Sequence, residues 1–528
     1  YSGYGHSDDT LLYFYLPETY ILPNGLMEYD TGLLDGYDTH ITESGIYVAV
    51  DGENIRVSGE DVMLALTLPG VSIDCSSETS VSAIRITDGA TVRMKIVGTN
   101  TLKGSEGCAA ISIDEHSTLI IESDSTGTLK AYAGILAAAI GGDAECNNGT
   151  IIMNGGTVTT VGGKNAGAFA DERGGAGIGG GNNGSGGTIT INGGIVNSTG
   201  GESSAGIGGG NTGATGTIII NNGHITVDGG YHGPGIGGRG GSVEINGGTI
   251  VADNWAYGAA IGCASDGSGI NITINGGTIT ATADAFCAAI GGSISGTAGK
   301  ITITGGTINA HGEEAGIGVC DSINISGGTI IAKADASGTG IMSADIIISG
   351  GIIESTGGSD GAGIGGCEGI VNITGGTIDA TGGYGGAGIG GGKSQSAGTI
   401  QITGGSIRAT AGSAGAQAVG IGAGGTGGIV TSGSENGDSP LHLVVVDGAF
   451  SDDNHLEANI SVQTGDTENL YSYTYIGCGH TDDDLLYFYL PENYLLPDGL
   501  SEFDVSLLDG YDVHIFESGA YTAISGEN

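Results

Sequence analysis

The chain has 528 residues, 112 of them glycine and only seven proline, and it sets 58 Asp and Glu against 13 Lys and Arg for a formal net charge of −45. Collagen is excluded because no strict Gly-X-Y period runs through it, and disorder because 38% of the residues are apolar. The charge argues against a nucleic-acid partner and against docking on an anionic membrane, both of which need Lys and Arg, and it favours solubility, cations such as Ca²⁺ or basic partners. No apolar run reaches the ~20 residues a membrane helix needs. The first residue is tyrosine and no signal peptide is visible, so the sequence reads as a mature or internal segment with any export signal upstream.

Residues 1–44 read as a junction segment. Within it "HSDD" (His6–Asp9) offers Asp8 and Asp9 as carboxylates for Ca²⁺, although no twelve-residue loop signature surrounds them and a solvated turn is the plainer reading. "LLYFYLPETYILPNGL" (Leu11–Leu26) is aromatic-rich, and Leu11, Phe14, Leu16 and Leu22 are the side chains expected to pack there.

From Gly45 the pattern changes to short strands separated by turns, first in "AIRITDGATVRMKI" (Ala83–Ile96) and "AISIDEHSTLIIES" (Ala110–Ser123), then in a regular unit. Each unit reads as "ITI", a turn of Asn, Thr or Ser before Gly-Gly, "TITAT", and then "AGIGG", most at spacings of roughly 22–29 residues, the length class of a solenoid coil. Ile218/Ile220, Ile272/Ile274 and Ile301/Ile303 form one column, Ile250, Ile279 and Ile308 a second, and Ile207, Ile236 and Ile261 a third. Period-two alternation sends these residues inward and Thr, Asn or Ser outward. A 3.6-residue period is absent, and glycine and β-branched residues are too frequent for helices. The expectation is an all-β fold: a right-handed three-sheet parallel β-helix over residues 45–435, with crossovers of the usual hand. The polar residue before Gly-Gly is expected to form a ladder that satisfies turn backbone groups, with the glycines supplying positive φ.

Residues 436–474 read as a compact β junction module, with strands in "LHLVVV" (Leu441–Val446), "ANISVQT" (Ala458–Thr464) and "YSYTYIG" (Tyr471–Gly477). Residues 475–528 then repeat residues 1–54 without a gap, about two-thirds identical, His480 answering His6 and Asn528 answering Asn54. This is the expected start of a next tandem unit, in a chain with a period near 474 residues. Leu485, Phe488, Leu490 and Leu496 are the corresponding packing residues, expected on the last coils and on Val444–Val446, and Asp482, Asp483 and Asp484 the corresponding carboxylates.

The remaining motifs argue for plain structural roles. "AGIGGGKS" (Ala387–Ser394) approaches a phosphate-binding loop, but it lies between strands and "AGIGG" recurs in other coils without lysine. "DERGG" (Asp171–Gly175) lies in a longer coil and is the best place for a side-loop function. Outward threonines (Thr249, Thr278, Thr307, Thr329, Thr377) suit an ice-binding plane, yet surface threonine is ordinary in β-structure. Cys75, Cys108, Cys146, Cys263, Cys287, Cys320, Cys367 and Cys478 show no CxxC spacing, and most are expected to be small buried hydrophobes, with one or two disulfides the alternative in an oxidising compartment.

"GTITINGGIV" and "AGIGGG" resemble the glycine-rich right-handed parallel β-helix repeats of bacterial surface and secreted proteins, a group near the pectate-lyase-like and carbohydrate-binding β-helix families. The resemblance covers roughly Gly45 to Ser432 and implies an extracellular or cell-surface location. It also implies, for the lyases, clustered Asp with Ca²⁺ and a catalytic Arg. Arg56, Arg85, Arg93, Arg173, Arg239 and Arg408 match no such cluster, so no family residues carry over. No Ser/His/Asp or Cys/His set is recognisable, and no enzymatic activity and no cofactor beyond Ca²⁺ are expected. The leading expectation is a structural segment of a secreted fibre or surface filament whose partners are copies of itself end to end. A carbohydrate-binding adhesin comes second and a polysaccharide lyase third. An adhesin needs exposed aromatics on one sheet, for which Tyr231, Trp255, Tyr257 and Tyr384 are the candidates.

Overall fold

The computed structural model describes residues 35–165, 173–293, 295–365, 369–393, 395, 399–402 and 405–410, and beyond these the backbone of strands between residues 421 and 502. Every regular element among the described residues is a strand. Up to Ser432 all named strand pairings are parallel, and they fall into three ladders, one for each aliphatic column.

Ladder A holds the strands before the Gly-Gly turn. Its register puts Ile218 beside Val243, then Ile272, Ile301 and Ile323. Ladder B holds the strands after the turn, with Ile250, Ile279, Ile308 and Ile330 in line. Ladder C holds the "AGIGG" strands, with Ile207, Ile236, Ile261, Ile290 and Ile317 in line. All three columns point into one continuous apolar core. No single coil can bury its aliphatic face alone, so stacking is what closes the core. Ladder B contains 13 strands, which at ~4.8 Å per step make a rod of roughly 60 Å.

The ladders form two hydrogen-bonded sheets, of 29 and 13 strands, not the three expected. Strand Ala315–Ile325 runs through ladder C and ladder A without a break and joins them. In that coil only Val319–Ser322 separate "AGIG" from "INI", and the strand continues through them. Elsewhere the ladder C strands are short arches. Ala205 N–H donates to Gly209 O (3.0 Å) and Ala259 N–H to Cys263 O (3.0 Å), which closes the backbone over two or three strand residues.

At the turns, the second glycine adopts positive φ (+92° at Gly277), and a Cβ on the first, Gly276, would sit 2.6 Å from the Asn246 carbonyl oxygen one coil below. The polar ladder is present, but its bonds run from side chain to side chain. Asn192 Nδ2 donates to Asn154 Oδ1 (2.8 Å), Asn221 to Asn192 (2.8 Å), Asn246 to Asn221 (2.9 Å), Asn275 to Asn246 (2.8 Å), and Thr304 Oγ1 to Asn275 Oδ1 (2.8 Å). The expected bonds to turn backbone are replaced because stacking brings each amide within reach of its own equivalent.

At the first coils, Thr39–Ile41 already pairs with Ile55–Ser58, and Gly45–Val48 pairs with Met63–Leu68. After Ser432 the pairing turns antiparallel. Leu441–Asp447 pairs with Leu485–Pro491, setting Val444 opposite Phe488 and Val446 opposite Leu486. Leu456–Thr464 pairs with Leu470–Gly477. The side chains of these strands, including Leu485, Phe488 and Leu490, lie outside the described part, and Leu11, Phe14, Leu16, Leu22 and Leu496 lie outside the described residues altogether.

Cys75, Cys108, Cys263, Cys287 and Cys320 are buried, as expected of most of the cysteines, whereas Cys146 is exposed. It sits in the corner between Ile140–Gly141 and Thr150–Met153, where the chain leaves the core. Cys367 and Cys478 lie outside the described residues. Burial pushes the Cys263 thiol up to about 12 and the Cys75 thiol to about 11. At about pH 8 an aromatic disulfide reagent is therefore expected to label Cys146 first among the six, and Cys75 and Cys263 only on unfolding. Peptide mapping by mass spectrometry reads the order; fast labelling of Cys263 in the folded chain would contradict its place in ladder C.

Candidate ligand-binding site

The corners between ladder B and ladder C carry the exposed aromatic residues. Strand His224–Asp228 leads into Tyr231 and His232, and the next strand, Thr249–Asn254, leads into Trp255 and Tyr257. Asn254 shapes this corner. It is 3% exposed and turned inward, its Nδ2 donates to Gly230 O (3.2 Å) and to Gly233 O, and its Oδ1 accepts from Ala256 N–H (2.7 Å). These bonds fold the chain back so that the flanking Trp255 is left 65% exposed.

The rings meet. Tyr231 lies 5.2 Å from Trp255 and 5.2 Å from Tyr257 between centroids, and His232 stacks on Tyr257 at 5.1 Å with 18° between planes. Tyr257 N–H donates to Tyr231 O (3.0 Å), and Ser265 N–H donates to His232 O (2.9 Å), tying this corner to the one between ladders C and A. Because the ladder C arch is so short, the two corners enclose a cleft of about 190 Å³ lined by Ser203, Asn211, His232, Ser265 and Asp266. Asp266 is ion-paired with Arg239. Below the aromatic corner, Asp228 and Asp253 are register partners, and burial, then the neighbouring Asp253 charge, raises the Asp228 carboxyl above its ordinary value.

Five stretches of the chain, residues 189–211, 243–265, 272–294, 301–318 and 371–393, match the family model described as Beta helix repeat. The chain is a β-helix repeat protein. No curated protein and no solved structure matches it. Within this β-helix repeat protein the matched stretches contain Ser203, Asn211, Trp255, Tyr257 and Ser265, so these side chains decorate ordinary repeats.

Of the four aromatics expected for glycan contact, three converge, at a corner and not on a sheet face. Tyr384 stands apart, with Lys393 Nζ 5.0 Å from its ring centroid and 3.1 Å from Asp360. Sequence reading missed His232, Asp266 and Phe286, the last 55% exposed at the same corner one coil further on. A signal for His232 existed: Asn221 and Asn246 stack 25 residues apart, and Tyr257 follows His232 by the same coil step.

The other motifs are accounted for by the repeat. Ile389–Lys393 of "AGIGGGKS" is a ladder C strand. Around "DERGG", Lys164 bridges to Gly174, while Asp171 and Glu172 lie outside the described residues. The outward threonine column is interrupted by exposed Ile352 in register between Thr329 and Thr377, and its neighbouring column carries Thr280, Asn309, Ile331, Glu354 and Asp379, a mixture no flat ice-matching plane would have. Arg56, Arg85 and Arg93 pair with Asp35, Asp143 and Glu122 respectively. Among the described residues no group of three or more His, Cys, Asp or Glu is placed to hold a metal ion. Asp8, Asp9, Asp482, Asp483 and Asp484 lie outside those residues.

Proposed function

We infer that this β-helix repeat protein is a structural segment of an extracellular fibre or surface filament, in which solenoid units follow one another end to end. The observation that carries the reading is the long-period duplication: residues 475–528 repeat residues 1–54 on the far side of one complete solenoid. The solenoid itself suits a shaft. Each coil contacts mainly its neighbours, its three aliphatic columns run from coil to coil with buried Asn100 taking one place in ladder B, and hydrogen bonding in ladders A to C is along the axis. Solenoid ends are sheet edges that invite uncontrolled pairing, and an aromatic-rich module between units would control them. Electron microscopy of native material provides the test. Filaments with one axial period set by a unit, of at least roughly 60 Å, are expected. Isolated particles with no longitudinal contact at high concentration would overturn the filament reading.

A further inference from the structure

We propose that Tyr231, Trp255 and Tyr257, together with the cleft between Ser203, Asn211, His232, Ser265 and Asp266, bind a neutral oligosaccharide of pyranose sugars. This site stands independently of the filament reading, since it needs only the coils between Ser203 and Asp266.

The chemistry on the page selects such a ligand in four steps. First, an exposed indole beside two phenol rings is a large apolar surface with polar tips, suited to a ligand that presents a flat C–H face rimmed by hydroxyls. Second, the rings are already ordered against each other and held by Asn254 and by the Tyr257–Tyr231 backbone bond, so little side-chain freedom is lost when a ligand lands on them. Third, the neighbouring cleft offers short-reach hydroxyl, amide and imidazole groups, which match sugar hydroxyls in number and kind. Its volume of about 190 Å³ lies below the usual range for drug-sized ligands, so it takes one ring, and further rings extend along the aromatic corner towards Phe286.

Fourth, charge discriminates among ligands. The chain carries −45 overall and stacks Asp228 on Asp253 under the corner, which disfavours acidic polysaccharides. A quaternary ammonium would meet the ring faces alone, since it offers no hydrogen-bonding group to the hydroxyl, amide and imidazole groups of the cleft. A neutral ligand meets neither obstacle.

Trp255 is the only tryptophan in the chain, so intrinsic indole fluorescence reports this site alone. Titration of the intact protein with cellohexaose, chitohexaose, mannohexaose and xylohexaose is expected to give a saturable fluorescence change for at least one, with a Kd between about 10 μM and 1 mM. Tyr231→Ala and Tyr257→Ala are each expected to weaken that Kd about tenfold or more, and Tyr384→Ala to leave it unchanged. Because the two tyrosines are only half exposed, Trp255→Ala provides a second arm: calorimetric binding should vanish with the melting temperature unchanged. The proposal is overturned if none of the four sugars gives a saturable change up to ~10 mM, if choline or polygalacturonate saturates the signal in their place, or if Trp255→Ala binds as well as the parent.

Discussion

Ile274→Asp is expected to destabilise the solenoid by at least about 4 kcal/mol and to open the coil that contains it. Ile274 is fully buried, and its register partners along ladder A are Ile245 below and Ile303 above. The core it faces is a cluster of apolar side chains, so an introduced carboxylate finds nothing to accept from or pair with. Taking up a proton relieves part of the penalty but leaves a polar group in an aliphatic column and a void where the isoleucine stood. Coils couple chiefly to their nearest neighbours, so the loss is felt first in the strands on either side. The measurement is amide hydrogen exchange on peptides covering Asn271–Ile274 and Ala298–Ile303, alongside a thermal melt. Thr273→Asp is the control, since Thr273 alternates outward in the same strand and should cost only about 1 kcal/mol, from strand propensity and the like charge of its register partner Glu244. Equal protection in both variants would show that the register is not the one described.

Gly262→Ala is expected to cost about 3 kcal/mol or more, for a change of one methyl group. Two causes add. Gly262 has φ of +146°, where an L side chain is strained, and its Cβ would lie 1.9 Å from the Gly291 carbonyl oxygen of the next coil. That oxygen belongs to the backbone of ladder C and cannot swing aside without breaking the stacking of Ile261 on Ile290. Gly107→Ala separates the two causes, because Gly107 also has positive φ (+79°) but has nothing within 4 Å of its Cβ position. It should cost only about 1 kcal/mol. Urea unfolding of both variants gives the comparison. Similar values for the two would mean that the arches are not packed at the spacing described.

The sequence by itself determined the strands, their register and the contents of the core. Period-two alternation leaves one face for isoleucine, and a coil of nearly constant length can place Ile250, Ile279 and Ile308 in one line only. Glycine at the turns was equally legible, since positive φ and close approach between coils favour it, Asn222 being an exception at the first position. What only the tertiary structure decided were features that depend on local coil length and on contacts across corners. Strand Ala315–Ile325 merges two ladders across a four-residue link, whereas the next coil, with three, breaks at Ala344, a difference that alternation does not register. The asparagine ladder bonds to itself because stacking distance, set by the backbone, brings side-chain amides closer to each other than to the turns. Cys146 is exposed because corners, unlike strands, have no obligatory inward position. Tyr231, Trp255 and Tyr257 are spread over 27 residues of sequence with nothing in composition to join them; one coil step of 25 residues and the inward bonds of Asn254 bring their rings to 5.2 Å. A solenoid converts a fixed sequence offset into a few ångströms of axial rise, so its core is written in the repeat while its surface sites arise from the departures from it.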